Sequence, residues 1–234
     1  MTSLAARQRT AEWMDEPHVD PGELHRSLSF IQRINRFLGY TRATLSHLQQ
    51  FSHTWTPGQR IDILDIATGS ADIPRAILKW ADRRQFDVRI TAVDRHPGTI
   101  AIARQQTPDA RIHLMQADAL ALPFADTSFD YCLTSMFLHH LDDEAVVRVL
   151  SEMDRLARRG VIVADLLRHR RALLWIHLFT LFSSPMVKHD AAVSVAQAFT
   201  RTEIRHLRDQ AGLPYATYHR HFGHRFVLAG QRGI

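Results

Sequence analysis

Cysteine is nearly absent, with Cys132 alone among 234 residues. A single thiol excludes an internal disulfide framework and fits a reducing compartment such as the cytoplasm. Long apolar runs are missing too. The longest, ALLWIHLFTLF at 172–182, is far short of the roughly 20 residues that span a bilayer. The opening MTSLAARQRTAEW lacks the apolar core of a secretory signal. A soluble chain without stable membrane insertion is therefore expected. The sequence contains no internal repeat and no low-complexity linker. Net charge is +5, yet the basic residues are scattered, with pairs at Arg83-Arg84, Arg158-Arg159 and Arg170-Arg171. With no basic tract, a nucleic-acid partner is not expected.

What is present describes an ordinary globular chain, 45% hydrophobic and 23% charged, long enough for one large domain. Leu24, Leu28, Ile31, Ile34 and Leu38 recur at helical spacing, a second short helix fits 41–51, and Thr56-Pro57-Gly58 breaks the chain. Residues 1–58 thus form an N-terminal helical cap, its first 20 residues polar. From 59 onward short apolar strands at 61–66, 87–93, 111–116, 128–134 and 160–166 alternate with amphipathic helices. The clearest helix is 142–159, with Asp142 as cap and Arg158-Arg159-Gly160 at its end. This alternation predicts a parallel sheet wound on both faces with right-handed crossovers. After a helix near 202–210, the runs 215–222 and 224–230 are joined by little more than Gly223, which makes them a hairpin. The expected fold class is α/β, a doubly wound seven-stranded Rossmann-like sheet with a C-terminal antiparallel hairpin. It occupies 59–234, with a lid-like helical segment at 168–200.

Glycine is scarce where a nucleotide loop would need it. The first strand exits through ILDIATGSADIP (63–74), which has only Gly69. A dinucleotide loop wants G-x-G-x-x-G so that backbone and helix N-terminus approach a pyrophosphate. Aligned on Gly69, Ala67 and Asp72 stand at the other glycine positions, and no P-loop Lys-Ser/Thr follows. Asp65 and Asp72 disfavour a phosphate on charge alone and suit a ligand carrying an ammonium and a sulfonium. Asp94 ends the second strand, where a carboxylate can accept ribose hydroxyls, and Asp118 follows the third, within reach of an exocyclic amine. Singly, each acid is an ordinary strand-end cap or turn residue. Three in succession behind a small-residue loop are not an ordinary coincidence.

Together LDIATGSADIP, ITAVDRHPG, QADALALPFADTSFDYCLTSMFLHHL and RGVIVADL resemble the class I S-adenosylmethionine-dependent methyltransferases. The likeness covers roughly 60–234 and is nearest to small-molecule enzymes related to those of ubiquinone and menaquinone pathways. It implies S-adenosylmethionine as cofactor. Asp65, Ala67, Thr68 and Gly69 would line its methionine end, Asp94 the ribose, Arg95 the adenine flank, Asp118 and Ala119 the adenine edge. Thr134 and Ser135 would sit under the sulfonium. The family often has glycine at 67 and 71; alanine fits there if φ stays below zero.

Methyl transfer to a phenol requires removal of a proton, and His139-His140 after the fourth strand are the first candidates, followed by His189 beside Asp190. His219, His221 and His224 form a trio more typical of an amphipathic edge strand than of a metal centre, and no metal is expected. The catechol-type metal pattern is half met, since Thr134-Ser135 replaces its first acid. TSMF at 134–137 lacks the Asn/Asp-Pro-Pro-Tyr/Phe run of base-amine methyltransferases, and the paired glutamates of arginine methyltransferases are missing. The run 172–182 reads first as a buried structural helix. If it faces the cleft, it offers Leu173, Leu174, Trp175, Leu178, Phe179 and Phe182 to an apolar acceptor. The expected activity is O- or C-methylation of a hydrophobic aromatic small molecule, phenol-, quinone- or polyketide-like. The alternatives are a silent methyltransferase-like scaffold and an NAD-dependent reductase, the latter opposed by Asp72 and the lack of a Tyr-x-x-x-Lys pair. A homodimer is left open.

Overall fold

The computed structural model describes residues 4, 6–16 and 18–233. A 17-residue helix α1 (Pro21–Phe37) starts where Asp20 accepts from the Glu23 amide, and α2 (Tyr40–Phe51) follows across Gly39. The alternating part then begins with β1 (Arg60–Ile66), α3 (Asp72–Arg84), β2 (Asp87–Asp94), α4 (Pro97–Gln106), β3 (Ile112–Gln116) and β4 (Phe129–Ser135). It continues through α5 (Asp143–Leu156), β5 (Ala157–Leu166), α6 (Arg170–Phe179), α7 (Pro185–Gln197), α8 (Arg201–Gln210), β6 (Thr217–His221) and β7 (Arg225–Gln231).

The seven strands form one sheet in the order β3-β2-β1-β4-β5-β7-β6. The first five run parallel, and β7 is antiparallel to both β5 and β6. Alternate side chains of each strand serve opposite faces. Ile61, Ile63, Ile90, Leu133 and Ile162 meet α2, α3 and α4, whereas Leu64, Ile66, Val93, Cys132 and Val163 meet α5 and α8. Where both faces are buried the strands are apolar, as in Val161-Ile162-Val163-Ala164 of β5. β5 and β7 approach so closely that a Cβ on Gly160 would meet the Gly230 carbonyl; only glycine fits. Chain order reverses between β1 and β4, and in such sheets the ligand lies beyond the carboxyl ends of the strands at that point.

Three expectations are corrected. The helix at 142–159 ends at Leu156, because β5 begins at Ala157. Arg159 is a strand residue whose Nε lies 3.1 Å from Asp130 Oδ1. The hairpin turn is Phe222-Gly223-His224, with Gly223 and His224 both at positive φ, so β6 is shorter than 215–222 and β7 is shifted by one residue from 224–230. The run 172–182 is not buried. Of the residues in α6 only Ala172 is. No helix among the described residues is long and apolar enough to cross a membrane.

Candidate active site

The loop after β1 is held open by its backbone. Ala67, Gly69 and Ala71 all have φ between 55° and 59°, so the condition under which alanine fits here without strain, φ below zero, is not met. A non-glycine residue there costs about 1–2 kcal/mol. The loop is fixed from the neighbouring strand, since the Thr68 amide donates to the Val93 carbonyl at 2.9 Å and the Gly69 amide to Asp94 Oδ2 at 2.9 Å. Asp94 Oδ1 accepts from the His96 amide at 3.0 Å, and Asp118 Oδ1 accepts from the Leu120 amide at 2.9 Å.

These elements enclose a cavity of about 560 Å³ lined by Asp65, Ala67, Thr68, Gly69, Asp94, Arg95, Asp118, Ala119 and Ser135, closed by Ile31 and Asn35 of α1. Of three acids in or under it, Asp65 is buried and Asp72 and Asp94 are half-buried. Burial pushes the Asp65 carboxyl up to about 7, with Asp72 and Asp94 adding to the rise and the Thr68 hydroxyl opposing it. Burial likewise raises Asp72, against the Asn35 amide, and Asp94, against the two backbone amides. Asn35 Oδ1, His96 Nε2 and Ser135 Oγ are buried there without a hydrogen-bond partner, although buried polar atoms are normally paired. The cavity is thus built for a ligand that is cationic near Asp65 and rich in hydrogen-bonding groups.

A second cavity, about 470 Å³, shares Met14, Ile31 and Met136 with the first. It is walled by Phe30, Ile34, Trp175, Ile176, Phe179 and Val195, and its polar groups include Glu12, Asp190 and Ser194. Buried at the boundary is an acid–histidine cluster. The His139 ring is 1% exposed, its Nδ1 2.7 Å from Asp165 Oδ1, while its amide donates to Asp165 Oδ2 at 3.1 Å. An ionised carboxylate only accepts, so Nδ1 carries the proton and Nε2 faces Glu12 Oε1 at 3.8 Å. His140 Nδ1 lies 2.8 Å from Asp15 Oδ2 and its Nε2 3.9 Å from the same Glu12 oxygen. Burial raises the Glu12 carboxyl, opposed by both imidazoles. Burial alone would lower His140, but Glu12 and Asp15 outweigh it and raise the imidazole to about 10.

A family model described as a methyltransferase domain matches residues 63–160. The demethylmenaquinone methyltransferase of Beutenbergia cavernae is 31% identical over 180 residues, 74% of this chain and 68% of that one. The chain belongs to the class I S-adenosylmethionine-dependent methyltransferases. The enzyme of the same name from Staphylococcus haemolyticus is 31% identical over 104 residues, but the match spans only 44% of this chain and 41% of that one. Human N-acetylserotonin methyltransferase, solved in complex with the cofactor, superposes with a TM-score of 0.67 at 16% identity over 92% of this methyltransferase and 57% of that chain; the likeness is one of fold.

The residues expected from the sequence divide accordingly. Asp65, Ala67, Thr68, Gly69, Asp94, Arg95, Asp118, Ala119, Ser135 and His140 come together in the larger cavity. Thr134 does not, because its side chain points to the next strand and its hydroxyl donates to the Ile66 carbonyl at 2.8 Å. As a general base His140 is also corrected, since an imidazole raised to about 10 is already protonated at neutral pH. His139 lines neither cavity and borders them through Glu12 and the ring of His140. On α7, His189 stacks on Trp13 with ring centroids 4.1 Å apart and pairs with Asp190 at 3.0 Å, outside both linings. Glu12, Asp15, Asn35 and Asp165 were not foreseen. Only Asp165 carried a signal, as a fourth strand-end acid after Asp65, Asp94 and the Asp118 that follows β3. Glu12, His139 and His140 also offer one ligand atom each within 4.8 Å of one another. The two rings lie 4.3 Å apart at 36°, and each Nδ1 is held by a carboxylate, Asp165 for His139 and Asp15 for His140.

Proposed function

We propose that this methyltransferase methylates an oxygen or carbon of a hydroxylated, hydrophobic aromatic small molecule, phenol- or quinol-like. The observation that carries the reading is the apolar cavity beside the acid-lined one, with only Met14, Ile31 and Met136 between them and Glu12 in its wall. S-adenosylmethionine, when bound, supplies an electrophilic methyl group on a sulfonium. The unpartnered Ser135 Oγ, Asn35 Oδ1 and His96 Nε2, together with the buried acids, fit a ligand of that chemistry. Asp65 would hold the ammonium, Asp94 the ribose hydroxyls, Arg95 and the Asp118–Ala119 edge the adenine. The alanines at 67 and 71 leave the cavity open, which favours this reading over a silent scaffold.

The chain's own residues then have three tasks. The apolar walls exclude water and orient the acceptor, and such alignment is worth roughly 7–11 kcal/mol when reacting atoms are held in attack geometry. Glu12, made more basic by burial, takes the proton that the acceptor hydroxyl releases as its oxygen or ring carbon is methylated. His139, fixed by Asp165, and protonated His140, fixed by Asp15, hold the Glu12 carboxylate in place. The test is turnover of the labelled cofactor against a panel of alkylated phenols, naphthoquinols and hydrophilic catechols. Methylation of the hydrophobic members supports the reading, and activity confined to hydrophilic acceptors overturns it.

A further inference from the structure

The placement of α6 contradicts its composition. Leu174, Trp175, Leu178 and Phe179 are 71, 53, 60 and 50% exposed, and Phe182 beyond the helix is 98% exposed. A helix apolar around most of its circumference is normally buried, and an exposed apolar patch of this extent marks an interaction site. Two more aromatics stand on the same face. Phe37 at the end of α1 and Phe222 at the hairpin turn are 74% and 94% exposed. Phe37 and Phe182 border a groove of about 540 Å³ together with Arg26 and Arg33. Phe222 borders the acceptor cavity together with Trp175 and Arg171. Groove and cavity are continuous, because Phe30, Ile34, Leu38, Phe179 and Val187 line both.

The charge around this patch is mostly of one sign, the exception being Glu23, whose Oε1 lies 2.6 Å from the Arg26 guanidinium. Residues 24–37 contain Arg26, Arg33 and Arg36 and no acid; residues 169–189 contain Arg170, Arg171 and Lys188 and no acid. All six of these basic residues are exposed. Two copies of the chain meeting here would set six exposed cations against six, with only Glu23, already paired with Arg26, to offset them on each side. An anionic bilayer offers what the patch lacks, a hydrocarbon layer for the aromatics and phosphates for the rim.

We propose that this face docks on the surface of an anionic lipid bilayer. Helix α6 then lies in the headgroup region, and the acceptor cavity opens toward the membrane to receive an alkyl-tailed acceptor from it. Docking stands on the patch alone; the origin of the acceptor rests on the proposed function.

The experiment is flotation of the full chain with vesicles of phosphatidylcholine containing about one-third phosphatidylglycerol, and with phosphatidylcholine alone. The protein is expected to float with the anionic vesicles, less so at high salt, and weakly with the neutral ones. Two double variants lie outside the acceptor cavity, Leu174→Ser with Leu178→Ser and Arg33→Gln with Arg36→Gln. The arginine pair should lower partitioning by about 25-fold, near fivefold per charge, and the leucine pair by about tenfold or more. Both should bind S-adenosylhomocysteine as wild type does, which shows that they fold. Absence of flotation with anionic vesicles, or flotation indifferent to both pairs, overturns the proposal. So does a dimer by light scattering that the leucine pair dissociates and that ignores vesicles. A protein that floats but methylates no hydrophobic phenol keeps the docking face and loses the acceptor assignment. One that methylates detergent-dispersed phenols but never floats does the reverse.

Discussion

Replacing Asp65 by Asn should stabilise the protein while abolishing its cofactor site. The carboxyl is 2% exposed and its pKa rises from 3.8 to about 7. An acid whose folded pKa lies above its unfolded one costs the fold nothing below the unfolded value and costs progressively more as pH climbs through the folded one. Roughly three units at about 1.36 kcal/mol each give a penalty of about 4 kcal/mol above pH 7. Asparagine keeps the shape without the charge. For a chain of this size each kcal/mol moves Tm by about 2–4 °C, so Asp65→Asn should melt about 8–16 °C higher than wild type at pH 8, with the gap shrinking toward zero at pH 4. Differential scanning calorimetry across pH 4 to about 8 reads this directly, and calorimetric titration with S-adenosylhomocysteine should show affinity lost. A variant that is less stable than wild type at pH 8, or a gap that does not change with pH, would refute the assignment of a buried, uncompensated charge held for a cationic ligand.

Glu12→Gln should lower kcat by about 10²–10⁴-fold and leave S-adenosylhomocysteine affinity within about twofold; equal losses in both would return Glu12 to a structural role. In wild type, kcat should rise with pH above the ordinary carboxylate range as the raised Glu12 ionises, a limb missing from the variant. His47 is buried against His219 and His221, its Nε2 3.0 Å from that of His221, and burial followed by both neighbours lowers it from 6.5 to about 4. Its contribution is present above pH 6.5 and lost as pH falls toward 4, so His47→Gln should remove about 3 kcal/mol of the acid dependence of stability seen in urea titrations. Gly160→Ala would drive a methyl into the Gly230 carbonyl, and urea unfolding should register a loss of about 1–3 kcal/mol or more.

The sheet was legible because its signals are local. Apolar strands, helical periodicity and the short link around Gly223 yield the parallel strands and the closing hairpin, whereas the strand order is set by long-range pairing. The acid-lined cavity was legible for a related reason, since Asp65, Asp94 and Asp118 follow successive strands whose carboxyl ends must lie together. Burial of α6 was misjudged because composition reports what a helix prefers, not whether a partner is there to cover it. Glu12 was invisible because the segment before α1 meets α7 and the turn at His139 only through long-range packing; the Ser194 hydroxyl reaches Glu12 at 2.5 Å across 182 residues. The histidines were noticed as residue types, but the charge of His140 depends on Glu12 and Asp15 and the orientation of the His139 ring on Asp165, which only the tertiary fold assembles. The positive φ at Ala67 and Ala71 is a backbone property that the residue type argues against.

The central claim is that the acid-lined cavity holds the methyl donor with its sulfur facing the apolar cavity. A crystal structure with S-adenosylhomocysteine tests this most directly. The account predicts the ribose against Asp94, the amino group against Asp65, and the sulfur toward Met14, Ile31 and Met136 on the side of Glu12. A nucleoside bound elsewhere, or a sulfur turned away from that boundary, would contradict it.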